Sequence, residues 1–153
     1  MLPFARIAII GMGLIGSSLA RSIRATMPTV RLSVTDADAH VRARVRDLDL
    51  ADDVADSAGV AVIDADLVIL CVPVGAMGRV AGDIAADLAA GVVVSDVGSV
   101  KGQVLVELTA ALPGIAVIPA HPVAGTEKSG PDAGFASLFA GRWCIVTPPA
   151  GAD

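Results

Sequence analysis

The sequence predicts an α/β fold, a doubly wound and mostly parallel sheet with helices on both faces. Three observations carry this prediction. An apolar run, Ile7 to Ile10, breaks at Gly11 and gives way from Leu14 to apolar residues at helical spacing, so a strand enters a helix through glycines. Later apolar runs, residues 66–72 and 92–96, lack in-out alternation, as parallel strands covered on both sides do. Strand and helix patterns then alternate along the chain, and right-handed crossovers turn that alternation into a parallel sheet.

The composition fits one domain. A chain of 153 residues can bury a sizeable core, and with 54% hydrophobic but 3% aromatic residues that core is built from small aliphatics. Mean hydropathy is high, at +0.73, yet no apolar run approaches the ~18 residues of a membrane span. The chain enters its first strand without the charged, apolar and cleavage-site pattern of a secretion signal, so the expectation is a cytoplasmic protein with no membrane partner. A net charge of −5 argues against nucleic acid as a partner. Arg42, Arg44 and Arg46 alternate along a helix among aspartates and read as a solvated face. Cys71 and Cys144, each placed in a strand, read as buried thiols of a reducing compartment rather than as a disulfide framework.

The elements follow in order. A strand over 4–10 leads to a helix over 14–26 with Ile15, Leu19 and Ile23 on one face and Ser18, Arg21 and Ser22 elsewhere. A second strand, 30–36, precedes a charged helix near 38–48, a short strand near Val54 and a helical turn near Val60 to Ile63. The strand of 66–72 ends at Pro73, and a helix over 74–90, with Met77, Val80, Ile84 and Leu88 inward, ends at Gly91. Strand 92–96, a helix over 101–112, strand 115–118, a short helix around 132–139 and a last strand, 142–147, complete the domain. The domain is taken as 1–147, and 148–153 as the start of a linker.

Gly11, Gly13 and Gly16 have GxGxxG spacing. The first permits the turn out of the strand, the second lets the backbone approach a pyrophosphate, and the third lets helix and strand pack closely. The phosphates would sit on the helix N-terminus, where free N–H groups and the helix dipole favour anions. Asp36 ends the second strand 20 residues past Gly16, where an acid can accept hydrogen bonds from the adenosine ribose and repel a 2′-phosphate. It can equally cap the helix that follows. No Arg or Lys lies between Asp36 and Arg42, which favours NAD over NADP.

In open α/β sheets ligands bind beyond the carboxyl ends of the strands, which selects the glycine loop, 72–74, Gly98 with Ser99, and the segment following 115–118. His121 is the only histidine in that crevice, and Pro122 holds it extended. An imidazole titrating near pH ~6.5 suits a base that takes an alcohol proton while hydride leaves the same carbon. Ser99 can donate to a substrate oxygen, orient His121, or cap the helix near Lys101. His40 reads as structural. No P-loop, HExxH, CxxC or nucleophile-elbow motif is present, so phosphoryl transfer and metal chemistry find no support.

The segments GMGLIGSSLA (11–20), DLVILCVPV (66–74), SDVGSVKG (95–102) and HPVAGTEKSGPDAGFASLFAGRWCIVTP (121–148) resemble the prephenate dehydrogenase family, with its arogenate and cyclohexadienyl relatives of tyrosine biosynthesis. The likeness covers nearly the whole chain but only the family's N-terminal, dinucleotide-binding half. It implies that His121 is the catalytic base with Ser99 beside it, and that Thr126 and Glu127 line the substrate entrance. It further implies that Gly11, Gly13, Leu14, Ile15, Gly16, Asp36, Val72 and Pro73 hold NAD. The implied reaction is oxidative decarboxylation of prephenate to 4-hydroxyphenylpyruvate. In that family a second, helical domain makes a homodimer and supplies an arginine for the substrate carboxylate, and this chain ends where that domain would begin. The competing readings are a non-catalytic NAD-binding module, an arogenate-specific enzyme, and a 3-hydroxyacid or imine-reducing oxidoreductase, the last lacking HPVAGTEKSG.

Overall fold

A computed structural model of the chain describes residues 3–151. Seven strands form one sheet in the order β3-β2-β1-β4-β5-β6-β7. They are β1 (Arg6–Ile10), β2 (Arg31–Thr35), β3 (Asp53–Val54), β4 (Leu67–Leu70), β5 (Val93–Asp96), β6 (Ala116–Pro122) and β7 (Cys144–Val146). The helices are α1 (Leu14–Thr26), α2 (Ala39–Asp47), α3 (Ala58–Ala61), α4 (Met77–Ile84) and α5 (Lys101–Ala111). All pairings from β3 to β6 are parallel, and β7 runs antiparallel to β6. The sheet is therefore doubly wound and mostly parallel, as the sequence predicts.

The missing alternation in β1 has a direct cause. Ala8 and Ile10 enter one core with Val68, Leu70, Met77, Ile84, Val94 and Leu108, while Ile7 and Ile9 enter the other with Ile23, Leu32, Val34 and Val45. Both faces of the strand are buried, so both sets of side chains are apolar. Asp66 fixes the start of β4 against β1, because its Oδ2 accepts the N–H groups of Ala5 and Arg6, each at 2.8 Å. Those two backbone bonds hold its carboxyl below the usual carboxylate range.

Several expectations need correction. The helix expected over 74–90 is shorter, with single 3-10 turns at Val74–Ala76 and Ala85–Asp87 flanking α4. Gly75, Gly78 and Gly82 weaken it, and Leu88 has already left helical geometry, although Gly91 does take a positive φ of 80°. Strand 115–118 is longer than expected, running on as β6 through His121 and Pro122 to pair with β7. The short helix near 132–139 is only a 3-10 turn, Pro131–Ala133, followed by irregular turns. The last strand is three residues rather than six, and Cys144 on it is exposed, not buried.

The buried stripe of α1 also differs, comprising Gly16, Ser17, Ser18, Ala20 and Ile23. Ser17 and Ser18 are covered by residues 130–135, where the Phe135 N–H donates to Ser18 Oγ at 3.1 Å and Arg21 donates to the Pro131 carbonyl at 2.9 Å. Residues 148–151 have no strand or helix, and the end of the expected linker, 152–153, lies outside the described residues. Among the described residues no helix is long and apolar enough to cross a membrane.

Candidate active site

The carboxyl ends of β1, β2, β4, β5 and β6 open onto one cavity of about 830 Å³. The glycine loop forms its centre. Gly11 leaves β1 with φ 97°, its N–H donating to the Thr35 carbonyl at 2.9 Å, and a Cβ there would stand 2.5 Å from the Cys71 carbonyl oxygen. A Cβ on Gly16 would overlap the Gly11 carbonyl oxygen. Gly13 is different, because it lines the cavity and a Cβ there would meet nothing within 4 Å. It is also the N-cap of α1, and no side chain caps that helix, so the free N–H groups of the first turn are left for an anion.

The two outer glycines are thus required by the packing of the protein itself, whereas the middle one borders open cavity space. Gly16→Ala should cost on the order of 2 kcal/mol from overpacking, seen as a fall of about 6 °C in a thermal melt. Gly13→Ala should leave the melt within about 1 °C and weaken dinucleotide binding instead.

At the β2 end Asp36 lines the cavity, and both of its oxygens are engaged. Oδ2 accepts the Met12 N–H at 2.8 Å, and Oδ1 accepts the Asp38 N–H at 2.9 Å. The cap of α2 is not Asp36 but Asp38, whose Oδ1 accepts the His40 N–H at 2.8 Å. The solvated face expected of the α2 arginines holds for Arg44 and Arg46, which are exposed, but not for Arg42. Arg44 makes a forked pair with Asp132, which holds that carboxyl below its usual range, and Arg46 bonds Asp56 at 2.8 Å. Arg42 turns into the cavity.

At the β5 end Asp96 is fully buried. Its Oδ2 accepts the Gly98 N–H at 2.8 Å and a close ion-pair bond from Lys101 Nζ. The same ammonium donates to the Ala120 carbonyl at 2.7 Å, one residue before His121. Lys101 is therefore committed inside the protein. Burial pushes the Cys71 thiol up, with the Asp96 carboxylate adding to the effect, so this cysteine is a poor nucleophile.

His121 and Ser99 line the same cavity as Gly11, Gly13, Leu14, Ile15, Asp36, Val72 and Pro73. Gly16 lies beneath them, buried in α1. Pairing with Ile145 holds the His121 backbone extended, and its Nδ1 is buried with no hydrogen-bond partner among the described residues. Ser99 is exposed and does not cap α5, whose N-cap position is Val100. Thr126 and Glu127 are exposed beyond the cavity, whose lining on this segment stops at Ala124. The sequence reading missed Asp96 with Lys101, and Arg42. The spacing within DVGSVK could have indicated the first, whereas nothing in the helical pattern marks Arg42 from Arg44 and Arg46.

These residues fit a dinucleotide. An uncapped helix N-terminus beside an open Gly13 suits a pyrophosphate, the carboxylate of Asp36 suits a ribose, and His121, with an orphaned ring nitrogen, stands at the other end.

Comparison with known proteins agrees. The family model for the prephenate dehydrogenase nucleotide-binding domain matches residues 19–153. A cyclohexadienyl dehydrogenase of Zymomonas mobilis is 51% identical over 150 residues, covering 98% of this chain and 51% of that protein. A prephenate dehydrogenase of Lactococcus lactis is 32% identical over 148 residues, covering 93% and 40%. Among solved structures, prephenate dehydrogenase of Aquifex aeolicus, in complex with hydroxyphenyl propionate and NAD+, superposes with a TM-score of 0.90 at 29% identity, covering 99% of this chain and 53% of that one. The chain spans about half the length of the curated relatives it matches. The glycine loop, the DVGSVK turn and the HP strand end meet in one cavity on a fold shared with these enzymes, and the chain belongs to the prephenate dehydrogenase family through its nucleotide-binding domain.

Proposed function

We propose that this chain is the NAD-binding half of a cytoplasmic dehydrogenase that oxidatively decarboxylates prephenate to 4-hydroxyphenylpyruvate, as a homodimer formed through the rest of the protein. The observation that supports it best is that His121 and Ser99 line the same cavity as the glycine loop. The 51% identity to a cyclohexadienyl dehydrogenase supports arogenate as a second substrate.

NAD+ would supply the hydride acceptor. His121 takes the proton of the ring hydroxyl as hydride leaves the same carbon. Ser99 donates to the substrate oxygen and keeps it in register. The bond to the ring carboxylate breaks, carbon dioxide leaves, and the electron pair enters the ring, which becomes aromatic. His121 then returns its proton to the phenol oxygen, so the imidazole ends as it began. Thr126 and Glu127 stand at the entrance by which substrate arrives. Asp36 selects NAD, because a 2′-phosphate would meet its carboxylate.

The 153-residue chain should show saturable NAD binding by calorimetry, with NADP weaker by tenfold or more. It should show no prephenate-dependent NADH absorbance. With Lys101 held by Asp96, the cations that flank His121 in the chain, Lys128 and Arg142, are exposed and outside the cavity lining, and Arg79 in that lining is exposed and paired with Asp83, so none of the three offers a buried bidentate seat for a carboxylate. Equal or tighter NADP binding would overturn the cofactor assignment, and robust turnover by the chain alone would overturn the division of the site.

A further inference from the structure

The cavity spans the sheet from β2 to β6, four strand spacings or roughly 19 Å, which is the reach of an extended dinucleotide. With His121 at the β6 end, the adenosine half falls at the β2 end, among Asp36, Ala37, Arg42 and Asp56. Arg42 is the cation of that group. It belongs to α2, yet its side chain folds back over the start of the helix, where Nη1 donates to the carbonyls of Asp36 at 2.8 Å and Ala37 at 3.2 Å. The side chain is only 16% exposed, and the Asp56 carboxylate stands 3.7 Å from Nε. Nε is itself buried with no hydrogen-bond partner among the described residues. Arg42 is thus a planar cation clamped at one nitrogen, with donors left over, on the wall beside the ribose-selecting carboxylate.

We propose that Arg42 is a specificity-determining residue for the adenosine end of the cofactor, a statement that rests on the dinucleotide reading of the cavity. Its guanidinium presents a face to the adenine, as arginines do to aromatic rings. It also provides the charge that a 2′-phosphate needs. The carboxylate of Asp36, anchored by two backbone N–H groups, lines the same cavity and opposes that charge for NADP. Selection for NAD is then a veto by one residue over a phosphate seat already built by another. Arg44 and Arg46 do not share this role, because neither lines the cavity.

The test is calorimetric titration of NAD and NADP into the 153-residue chain and its variants. Asp36→Ser should tighten NADP by tenfold or more and weaken NAD. Adding Arg42→Gln should abolish that NADP gain, and Arg42→Gln alone should weaken NAD by about threefold to tenfold through the lost adenine contact. Because Asp36→Ser gives up bonds to Met12 and Asp38, the series is repeated with Asp36→Asn, which retains an acceptor, and every variant is checked by thermal melt. Full NADP affinity in either double variant would overturn the role of Arg42. So would an unchanged NAD affinity in Arg42→Gln. A parent chain that binds neither dinucleotide would instead remove the cofactor reading, and this proposal with it.

Discussion

Replacing His121 by asparagine, in a full-length dehydrogenase that carries this domain, is expected to lower kcat by roughly 10² to 10⁴ while leaving the Kd for NAD within about twofold. The magnitude is that of a lost general base, and the split between the two quantities follows from position. His121 sits at the end of β6, across the cavity from the residues that would hold the adenosine and pyrophosphate. Asparagine keeps a polar side chain on a strand whose pairing with Ile145 is made by backbone, so the fold should be untouched. Stopped-flow absorbance of NADH and fluorescence titration of NAD measure the two effects separately. Turnover within a few-fold of the parent would return His121 to a structural role.

Lys101→Met should be the most damaging single change to stability. It removes the cation from Asp96, which is fully buried, and leaves that carboxylate with only the Gly98 N–H, since its Oδ1 already lacks a partner among the described residues. Breaking one side of a buried pair costs about 3–5 kcal/mol, or a fall of roughly 10 °C in melting temperature for a chain of this size. The double variant Asp96→Leu with Lys101→Met should recover most of that loss, because the expense lies in the stranded charge. Activity should not recover with it. The ammonium also holds the Ala120 carbonyl and so fixes where His121 leaves the strand. A double variant that regained both would mean that the pair serves folding alone.

The centre of the fold was legible because local signals and burial agree there. Ile7 to Ile10 are apolar on both faces, Gly11 is required by its φ, and α1 begins and ends where the spacing placed it. Legibility fails at β6. The sequence pattern places the strand only at 115–118, yet a proline at 119 removes only a donor, and its carbonyl still accepts the Thr147 N–H at 2.9 Å. The β7 pairing that extends the strand is a distant, antiparallel contact with no local trace. Among the candidate site residues, His121, Ser99, Gly11 and Gly13, which line one cavity, could be singled out in the sequence because motif and strand end coincide. Arg42 was not, because its rotamer carries it off the helix surface that its spacing describes. The exposed Cys144 was misread for a related reason: an edge strand of three residues, beside a Trp143 that is 82% exposed, has no second layer to bury it.

The connection between β6 and β7 is long, and the segment around Phe135 cuts it in two. A Cβ on Gly134 would lie 2.9 Å from the Ser18 amide nitrogen, so the backbone there rests directly on α1, with Arg44 gripping Asp132 from α2. Tying a long loop at its middle adds a second closure and so costs further chain entropy, which the bonds to α1 offset, and the tie is made to the same helix whose N-terminus faces the cavity. The Phe135 amide should therefore exchange with deuterium slowly, although it belongs to no strand or helix. The arc from Val123 to Ser129, carrying Thr126 and Glu127, is therefore held at both ends, by the Phe135 contact on one side and by the Val123 N–H donating to the Trp143 carbonyl on the other, and between them it is largely exposed.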